Sequence, residues 1–317
     1  MPDPIPTSHL LIPGAGWPAA AEPGAPARPQ PPLPNLTQLL LHMAPSGLIE
    51  CEEDSPAMPY ELALAQLNGL PAQPGLTPWA AFETGTTVTP CAWVKPCHWL
   101  VGADYVQLDD PASLDLDETS SRVLLEAAAP YFLEDGITLS YRTPQAWLAS
   151  GEVFRQLPTR SLDRLIGRRI TPAVFDASRS GSTVLRRLQN EMQMLFYTHA
   201  ANDRRLQQGL LPVNSFWITG AGALEQPPTP LPGLQVEARL HAPALQQDPQ
   251  AHALAWQAVD ADACARLLAQ LKQGQAVQLT LCGQRLARSY RVAQPTLARR
   301  IKHYLGLKPL SLGLEEL

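Results

Sequence analysis

Six polar side chains in the second half of the chain have types and spacing that suit a ligand pocket. They are Asn190, Glu191, His199, Asn202, Arg204 and Asn214. Amide, carboxylate and imidazole groups can hydrogen-bond a polar ligand, and an arginine guanidinium can hold an anion through two parallel hydrogen bonds. The sequence therefore predicts a polar pocket in which Arg204 binds an anionic ligand.

One helix and the strand after it must position these groups. A single helix is predicted from residue 182 to Gly209, because five residues recur at intervals of three and four: Leu185, Leu188, Met192, Leu195 and His199. The next strand, Leu211 to Ile218, would bring Asn214 against that helix. The same polar residues also fit an architectural role, as a solvated helix face and a buried hydrogen-bond network in which His199 is satisfied in the core. Both interpretations stay open.

Strands and helices alternate along the rest of the chain. Predicted strands cover residues 9–12, 98–108, 136–141, 234–240, 276–281 and 288–292. Predicted helices begin at a cap on Asn35, near Pro59 and at a cap on Asp117, and two more cover residues 261–271 and 296–305. This alternation predicts the α/β class, with a mixed or largely parallel sheet flanked by helices.

The 33 prolines indicate how the chain is divided. Eleven of them fall within the first 34 residues, and proline can join neither a helix interior nor a sheet ladder. The expected organisation, in chain order, is residues 1–17 as the first strand of the core, 18–34 as a proline-rich arm, 35–226 as an α/β core, 227–232 as a proline-rich connection, and 233–317 as a C-terminal α/β part packing on the same core.

One glycine motif resembles a dinucleotide-binding turn. Gly14, Gly16 and Ala19 formally fit the pattern G-x-G-x-x-A after a predicted strand. That pattern binds a pyrophosphate only where the turn opens directly into a helix. Pro18 prevents that helix, so no nucleotide site is expected here.

Local motifs for metal or covalent chemistry are absent from the sequence. It contains no His-Glu-x-x-His, no phosphate-binding P-loop and no G-x-S-x-G elbow. The five cysteines are odd in number and form no Cys-x-x-Cys, so buried free thiols are predicted, and Cys91, Cys97 and His98 have no standard ligand spacing. No metal and no cofactor are expected.

Charge and hydropathy exclude two classes of partner. The net charge is −5 and the basic residues are scattered, which does not suit nucleic-acid binding. No segment has the 18 or so consecutive apolar residues that span a membrane, and the N-terminus lacks the features of a signal peptide. A cytoplasmic protein with no membrane contact is expected.

Two segments resemble a known family. They are LRRLQNEMQMLFYTHAANDRRLQQGLLPVNSFWITGAG, residues 185–222, and PCHWLVGADYVQLDDPASLDLDETSSRVLLEA, residues 96–127. Both are similar to the bacterial RpfE-type regulatory proteins, which are often labelled cofactor-independent phosphoglycerate mutases. The likeness extends over most of the chain, and Pro34-Asn35-Leu36 resembles the T-P-N-L helix start of the alkaline-phosphatase-like superfamily. The resemblance implies an alkaline-phosphatase-like core.

The resemblance does not extend to that superfamily's catalytic groups. Its enzymes attack phosphate with a Ser or Thr held against two metal ions, which needs an Asp after the first strand and later Asp/His clusters. Here residues 12–16 contain no carboxylate and no hydroxyl, and Asp104, Asp109 and Asp110 near His98 do not reproduce the cluster. The fold is therefore expected without its dimetal site.

Three functions remain open at the level of sequence. The leading one is a cytoplasmic regulatory or ligand-binding protein related to these mutases but not itself an enzyme, whose partner is a phosphorylated small molecule or a protein. The second is a phosphoglycerate mutase or phosphatase with a nonstandard site. The third is a protein-interaction scaffold that uses the arm at residues 18–34.

Overall fold

The computed structural model describes residues 8–16, 31–102, 106–170, 180–293 and 313–317. The chain divides into two compact units: unit 1 comprises residues 1–68 and 230–317, and unit 2 comprises residues 69–229. Strands from both ends of the chain pair in one sheet of unit 1, with His9 opposite both Leu234 and Gln278. The expected organisation of residues 35–226 as one core stays a prediction. Most of the proline-rich arm, residues 18–30, and the predicted helix over 296–305 lie outside the described residues.

The secondary-structure elements are numbered in chain order. The helices are α1 Pro34–His42, α2 Pro59–Leu67, α3 Trp79–Thr84, α4 Glu118–Glu134, α5 Ser180–Tyr197, α6 Ala200–Gln207, α7 His241–Leu245, α8 Pro249–Val259 and α9 Ala265–Lys272. The strands are β1 Ser8–Pro13, β2 Met43–Glu50, β3 Cys91–Cys97, β4 Trp99–Val101, β5 Val106–Leu108, β6 Thr138–Thr143, β7 Ala146–Ser150, β8 Arg169–Ile170, β9 Ser215–Gly222, β10 Leu234–Val236, β11 Val277–Cys282 and β12 Leu286–Val292. None of the helices that the structure describes could cross a membrane, given their length and hydropathy.

Unit 1 is built on a mixed five-stranded sheet in the order β10-β1-β11-β12-β2. Strand β1 pairs in parallel with β10 and with β11, whereas β12 runs antiparallel to both of its neighbours. Side chains of β1 alternate between the two faces: Leu10 and Ile12 join the core formed with α1, α8 and α9, and Leu11 joins the core formed with α2. The predicted α/β class, with helices on a mixed sheet, is confirmed.

Unit 2 contains no parallel pair among its described strands. Its main sheet has the order β6-β7-β3-β9, and a smaller sheet has the order β4-β5-β8. Apolar residues of α4 and α5, such as Leu124, Phe132, Leu188 and Met192, pack on one face of the main sheet. The mixed sheet that the sequence allowed is thus found in unit 1, whereas the described strands of unit 2 pair antiparallel.

The long helix predicted over residues 182–209 is two helices. Helix α5 ends at Tyr197 and α6 begins at Ala200. Between them His199 has extended backbone angles, φ −83° and ψ 130°, and its Nδ1 accepts a hydrogen bond from the Ala201 N–H at 3.1 Å. The imidazole thus caps α6, which competes with continuation of α5.

Three other predicted boundaries also differ. The segment 98–108 folds back on itself, because β4 and β5 pair antiparallel with Leu100 opposite Gln107. The strand expected over 234–240 ends at Val236 and is followed by a 3₁₀ turn. Asn35 is not a cap: α1 begins at Pro34, whose missing N–H suits a first helical turn.

A buried polar chain crosses the sheet of unit 1. The Nε2 of His9 lies 2.8 Å from the Thr280 Oγ1, which lies 2.8 Å from the Ser289 Oγ. His9 is 1% exposed, and burial lowers its pKa from 6.5 to about 4, although a hydrogen bond with Gln278 opposes that shift. The imidazole is therefore neutral in the folded protein at neutral pH.

Replacing His9 with glutamine is expected to flatten the acid dependence of stability. In the wild-type protein the His9 imidazole is protonated below about pH 6.5 in the unfolded chain, but only below about pH 4 in the folded chain. The contribution of His9 to the free energy of unfolding is therefore complete above pH 6.5 and is lost as the pH falls to about 4. The contribution of His9 to that loss is about 3 kcal/mol. Urea unfolding from pH 7 to pH 4 measures it, and parallel curves for wild type and His9→Gln would contradict it.

Candidate functional site

Two of the six predicted pocket residues are amides that bond the backbone. Asn202 is 2% exposed, and its Nδ2 donates to the carbonyl oxygens of Phe196 and Val213, each at 2.7 Å. Its Oδ1 accepts from the Val213 N–H at 2.9 Å. Asn214 bonds Trp99 in the same way, accepting from its N–H at 2.7 Å and donating to its carbonyl at 2.9 Å. Both amides therefore bond main-chain N–H and carbonyl groups within unit 2.

Glu191 is part of an ion-pair chain between two helices. Its Oε1 lies 2.8 Å from the Nη1 of Arg187, one turn earlier on α5. Arg187 also contacts Asp135 at the end of α4. The Oε2 of Glu191 is buried and has no hydrogen-bond partner among the described residues, whereas neighbouring Asn190 is exposed.

The two adjacent arginines of α6 have opposite environments. Arg204 is exposed, whereas Arg205 is 1% exposed. The Arg205 Nε donates to the Leu211 carbonyl at 2.9 Å, and its two Nη atoms donate to the carbonyls of Leu114 and Asp115. Burial lowers the pKa of Arg205, and two nearby aspartates oppose that shift. Arg205 therefore ties α6 to the turn before α4, a role that the sequence patterns did not indicate.

The six predicted residues thus have separate local roles in unit 2. Asn202 and Asn214 bond the backbone, Glu191 lies in an ion pair, and His199 caps α6. Asn190 and Arg204 lie on exposed surface. Binding of an anionic ligand by this set stays a prediction.

The five cysteines are buried free thiols, as predicted. Burial raises the pKa of Cys264 to about 12, and it raises the pKa of Cys97 and Cys282 further. Within the described ranges no group of three or more His, Cys, Asp or Glu side chains could hold a metal ion, and Asp104 lies outside those ranges. The expectation of no metal and no cofactor stays a prediction.

A second candidate site is the edge of unit 1 at which the parallel strands end. Ligands of open α/β sheets bind outside the carboxyl ends of such strands. After β1 the chain turns at Gly14, with φ +70°, where a Cβ would lie 2.7 Å from the Leu240 carbonyl oxygen. The Gly14 carbonyl oxygen lies 2.7 Å from the Nε2 of buried His252 on α8. Other segments of unit 1 therefore pack closely on this turn.

A carboxylate from a distant part of the sequence covers the first turn of helix α1. The residue before the helix is Leu33, which offers no side-chain hydrogen bond. Asp260 lies in a π-helical turn between α8 and α9, and it is 3% exposed. Its Oδ1 accepts from the Leu36 N–H at 2.7 Å, and its Oδ2 accepts from the Asn35 N–H at 3.2 Å. The positive end of α1 thus already holds an anion, supplied by the chain itself.

Residues 313–317 cover part of the edge at which β1 and β11 end. The Leu317 carbonyl oxygen accepts from the N–H groups of Arg285 and Leu286, at 3.0 and 3.1 Å, in the turn between β11 and β12. A Cβ at Gly16 would lie 3.4 Å from Leu317. Three segments from distant parts of the sequence therefore meet where β1 and β11 end.

Comparisons with known proteins find solved structures with similar folds at low sequence identity. No protein-family profile and no curated relative matches the sequence. The structure is similar to the cofactor-independent phosphoglycerate mutase of Thermoplasma acidophilum DSM 1728, with 14% identity, 92% of each chain covered and a TM-score of 0.36. It is also similar to the PH0037 protein of Pyrococcus horikoshii, with 12% identity, 92% of this chain and 89% of that chain covered, and a TM-score of 0.44.

Proposed function

We propose that this chain is a regulatory or ligand-binding protein that transfers no phosphoryl group at the first turn of helix α1. The observation that carries the proposal is the contact between Asp260 and the first turn of α1. A phosphoryl group held there would need the same N–H groups and would meet a carboxylate of like charge. The buried residue before the helix, Leu33, has no side-chain oxygen that could attack a phosphorus atom.

From the sequence we also propose that the chain is affiliated with the RpfE-type regulatory proteins and is related to cofactor-independent phosphoglycerate mutases. Its proposed location is the cytoplasm, and its proposed partner is a phosphorylated small molecule or a protein. Arg204 would bind the ligand's anionic group, since it is exposed and free of the backbone bonds that hold Arg205.

Enzyme assays and ligand-induced stabilisation test this function together. Purified protein is expected to show no turnover of phosphoglycerates or p-nitrophenyl phosphate, with or without added Mn²⁺. Saturable turnover that copurifies with the protein would refute the proposal. In a thermal-shift screen, a phosphorylated metabolite at about 100 times its Kd should stabilise the fold by about 2.7 kcal/mol.

The role of Arg204 in binding is tested with Arg204→Ala, and Lys272→Ala is the control. Arg204→Ala should remove the stabilisation by the metabolite, whereas Lys272→Ala, which removes an exposed cation from unit 1, should leave it intact. Equal stabilisation of wild type and Arg204→Ala would contradict the assigned role of Arg204.

A further inference from the structure

Residues 313–317, GLEEL, pack on unit 1 around the turn after β11. We call the surface that they cover the groove; it includes Gly283, Arg285, Leu286 and Arg288. Leu314 and Leu317 are 2% and 7% exposed, and both join the apolar core that contains Leu281 of β11. The two glutamates between them, Glu315 and Glu316, are exposed. The segment therefore presents one apolar face to the unit and one acidic face away from it.

The groove also recognises the backbone and the charge of this segment. Two N–H groups of the β11–β12 turn, those of Arg285 and Leu286, donate to the Leu317 carbonyl oxygen. The Nη2 of Arg288 lies 3.3 Å from the Oε2 of Glu316. Proteins bind short peptides through such hydrogen bonds to the main chain, apolar side-chain contacts and charge pairs.

Gly283 lies directly against the main chain of Leu317. A Cβ at Gly283 would lie 2.3 Å from the Leu317 carbonyl carbon, well inside van der Waals contact. Gly283 does not have a positive φ, so its backbone could carry a side chain if the segment were absent. Close approach of the peptide, and not the backbone conformation, is what requires glycine here.

We infer that this groove binds an acidic partner peptide with two leucines at the spacing of Leu314 and Leu317, and that residues 313–317 compete with it in cis. This inference rests on the proposed function in taking the protein to be a binding protein, and it names the partner's chemistry. The contact in cis involves two apolar side chains, two main-chain hydrogen bonds and one exposed ion pair, which is few compared with a stable protein–protein interface. A partner with the same pattern and a longer contact can therefore displace the segment.

The test uses a variant that lacks residues 313–317 and a fluorescent GLEEL peptide. The truncated chain should bind the peptide saturably and at least tenfold more tightly than the full chain does. A GAEEA peptide, which keeps the charge and loses both leucines, should bind at least tenfold more weakly than GLEEL. Equal binding of the two peptides, or no binding of GLEEL by the folded truncated chain, would overturn the inference.

Gly283→Ala in the truncated chain is the matched control. The variant should fold, because the atoms that a Cβ would overlap are gone, and it should lose the peptide. If it binds GLEEL as the parent does, the groove assignment is wrong. If truncation alone unfolds the chain, added GLEEL but not GAEEA should restore its circular dichroism spectrum, and a failure to restore it overturns the inference.

The peptide-binding experiment and the tests of the proposed function use different assays, so either can fail while the other succeeds. Loss of peptide binding leaves the absence of phosphoryl transfer and the role of Arg204 untouched, since both are read from other assays. Conversely, phosphate-ester turnover would refute the proposed function even if the peptide binds.

Discussion

Replacing Asp260 with alanine should lower the free energy of unfolding by about 3 kcal/mol, measured by urea denaturation at pH 7. The carboxylate accepts hydrogen bonds from the Asn35 and Leu36 N–H groups, and both it and Leu36 are buried. Alanine would leave those donors unpaired, and Leu33 has no side chain that could take over the cap. Removing an acceptor from buried donors costs more than the bond itself contributes, because water cannot replace it.

Asp262 is the matched control for this variant. It lies two residues away, is 44% exposed, and pairs with Arg239 and Arg266 at the surface. Exposed ion pairs contribute little, so Asp262→Ala should cost less than about 1 kcal/mol. Equal losses for the two alanine variants would show that the cap on α1 is not the cause.

A free carboxylate should partly restore a variant that lacks the cap. Asp260→Gly leaves a small space beside the positive end of α1, and added formate can occupy it as a carboxylate on the same N–H groups. Formate should therefore stabilise Asp260→Gly more than it stabilises wild type, with chloride as the salt control. Identical responses of the two proteins to formate would contradict an anion site at α1.

Replacing Arg205 with methionine should cost about 4 kcal/mol of stability, whereas Arg204→Met should cost less than about 0.5 kcal/mol. Arg205 is 1% exposed and donates to three backbone carbonyls, among them those of Leu211 and Leu114. Methionine fills much of the same volume but removes the donor from all three carbonyls, of which that of Leu114 is buried. Arg204 is exposed on the same helix, so it controls for helix propensity and net charge.

Denaturant midpoints for the two arginine variants provide the measurement. A loss for Arg204→Met as large as that for Arg205→Met would mean that the positive charge of α6 matters, and not the buried hydrogen bonds. Arg205→Lys offers a further check, since lysine keeps the charge but cannot reach three carbonyls in a planar fork.

Much of the secondary structure could be predicted because its signals are local. Leu36, Leu39 and Leu40 recur at helical spacing, and all three form the buried face of α1. Asp117 was expected as a cap, and its side chain accepts from the Ser120 N–H at 2.8 Å. Such patterns depend on backbone geometry within one or two turns, so neighbouring residues carry the information.

Other features of the candidate sites have no local signal. The helix break lies at His199, which is the last residue of the helical spacing that begins at Leu185, so the spacing does not reveal it. Arg204 and Arg205 are identical in type and adjacent, and only the packing of α6 on the turn before α4 decides which one is buried. The cap on α1 joins Leu36 to Asp260, which lie 224 residues apart in the sequence.

The sequence by itself determined the α/β class, the positions of most helices and strands, and the burial of the thiols. Only the tertiary structure decided the two units, the antiparallel sheet of unit 2, and which polar groups serve the fold. The physical reason is that apolar periodicity reflects the geometry of one element against water, whereas the partner of a carboxylate or guanidinium depends on which distant segments pack beside it. Asp260 on α1 and residues 313–317 on the β11–β12 turn are contacts of that second kind.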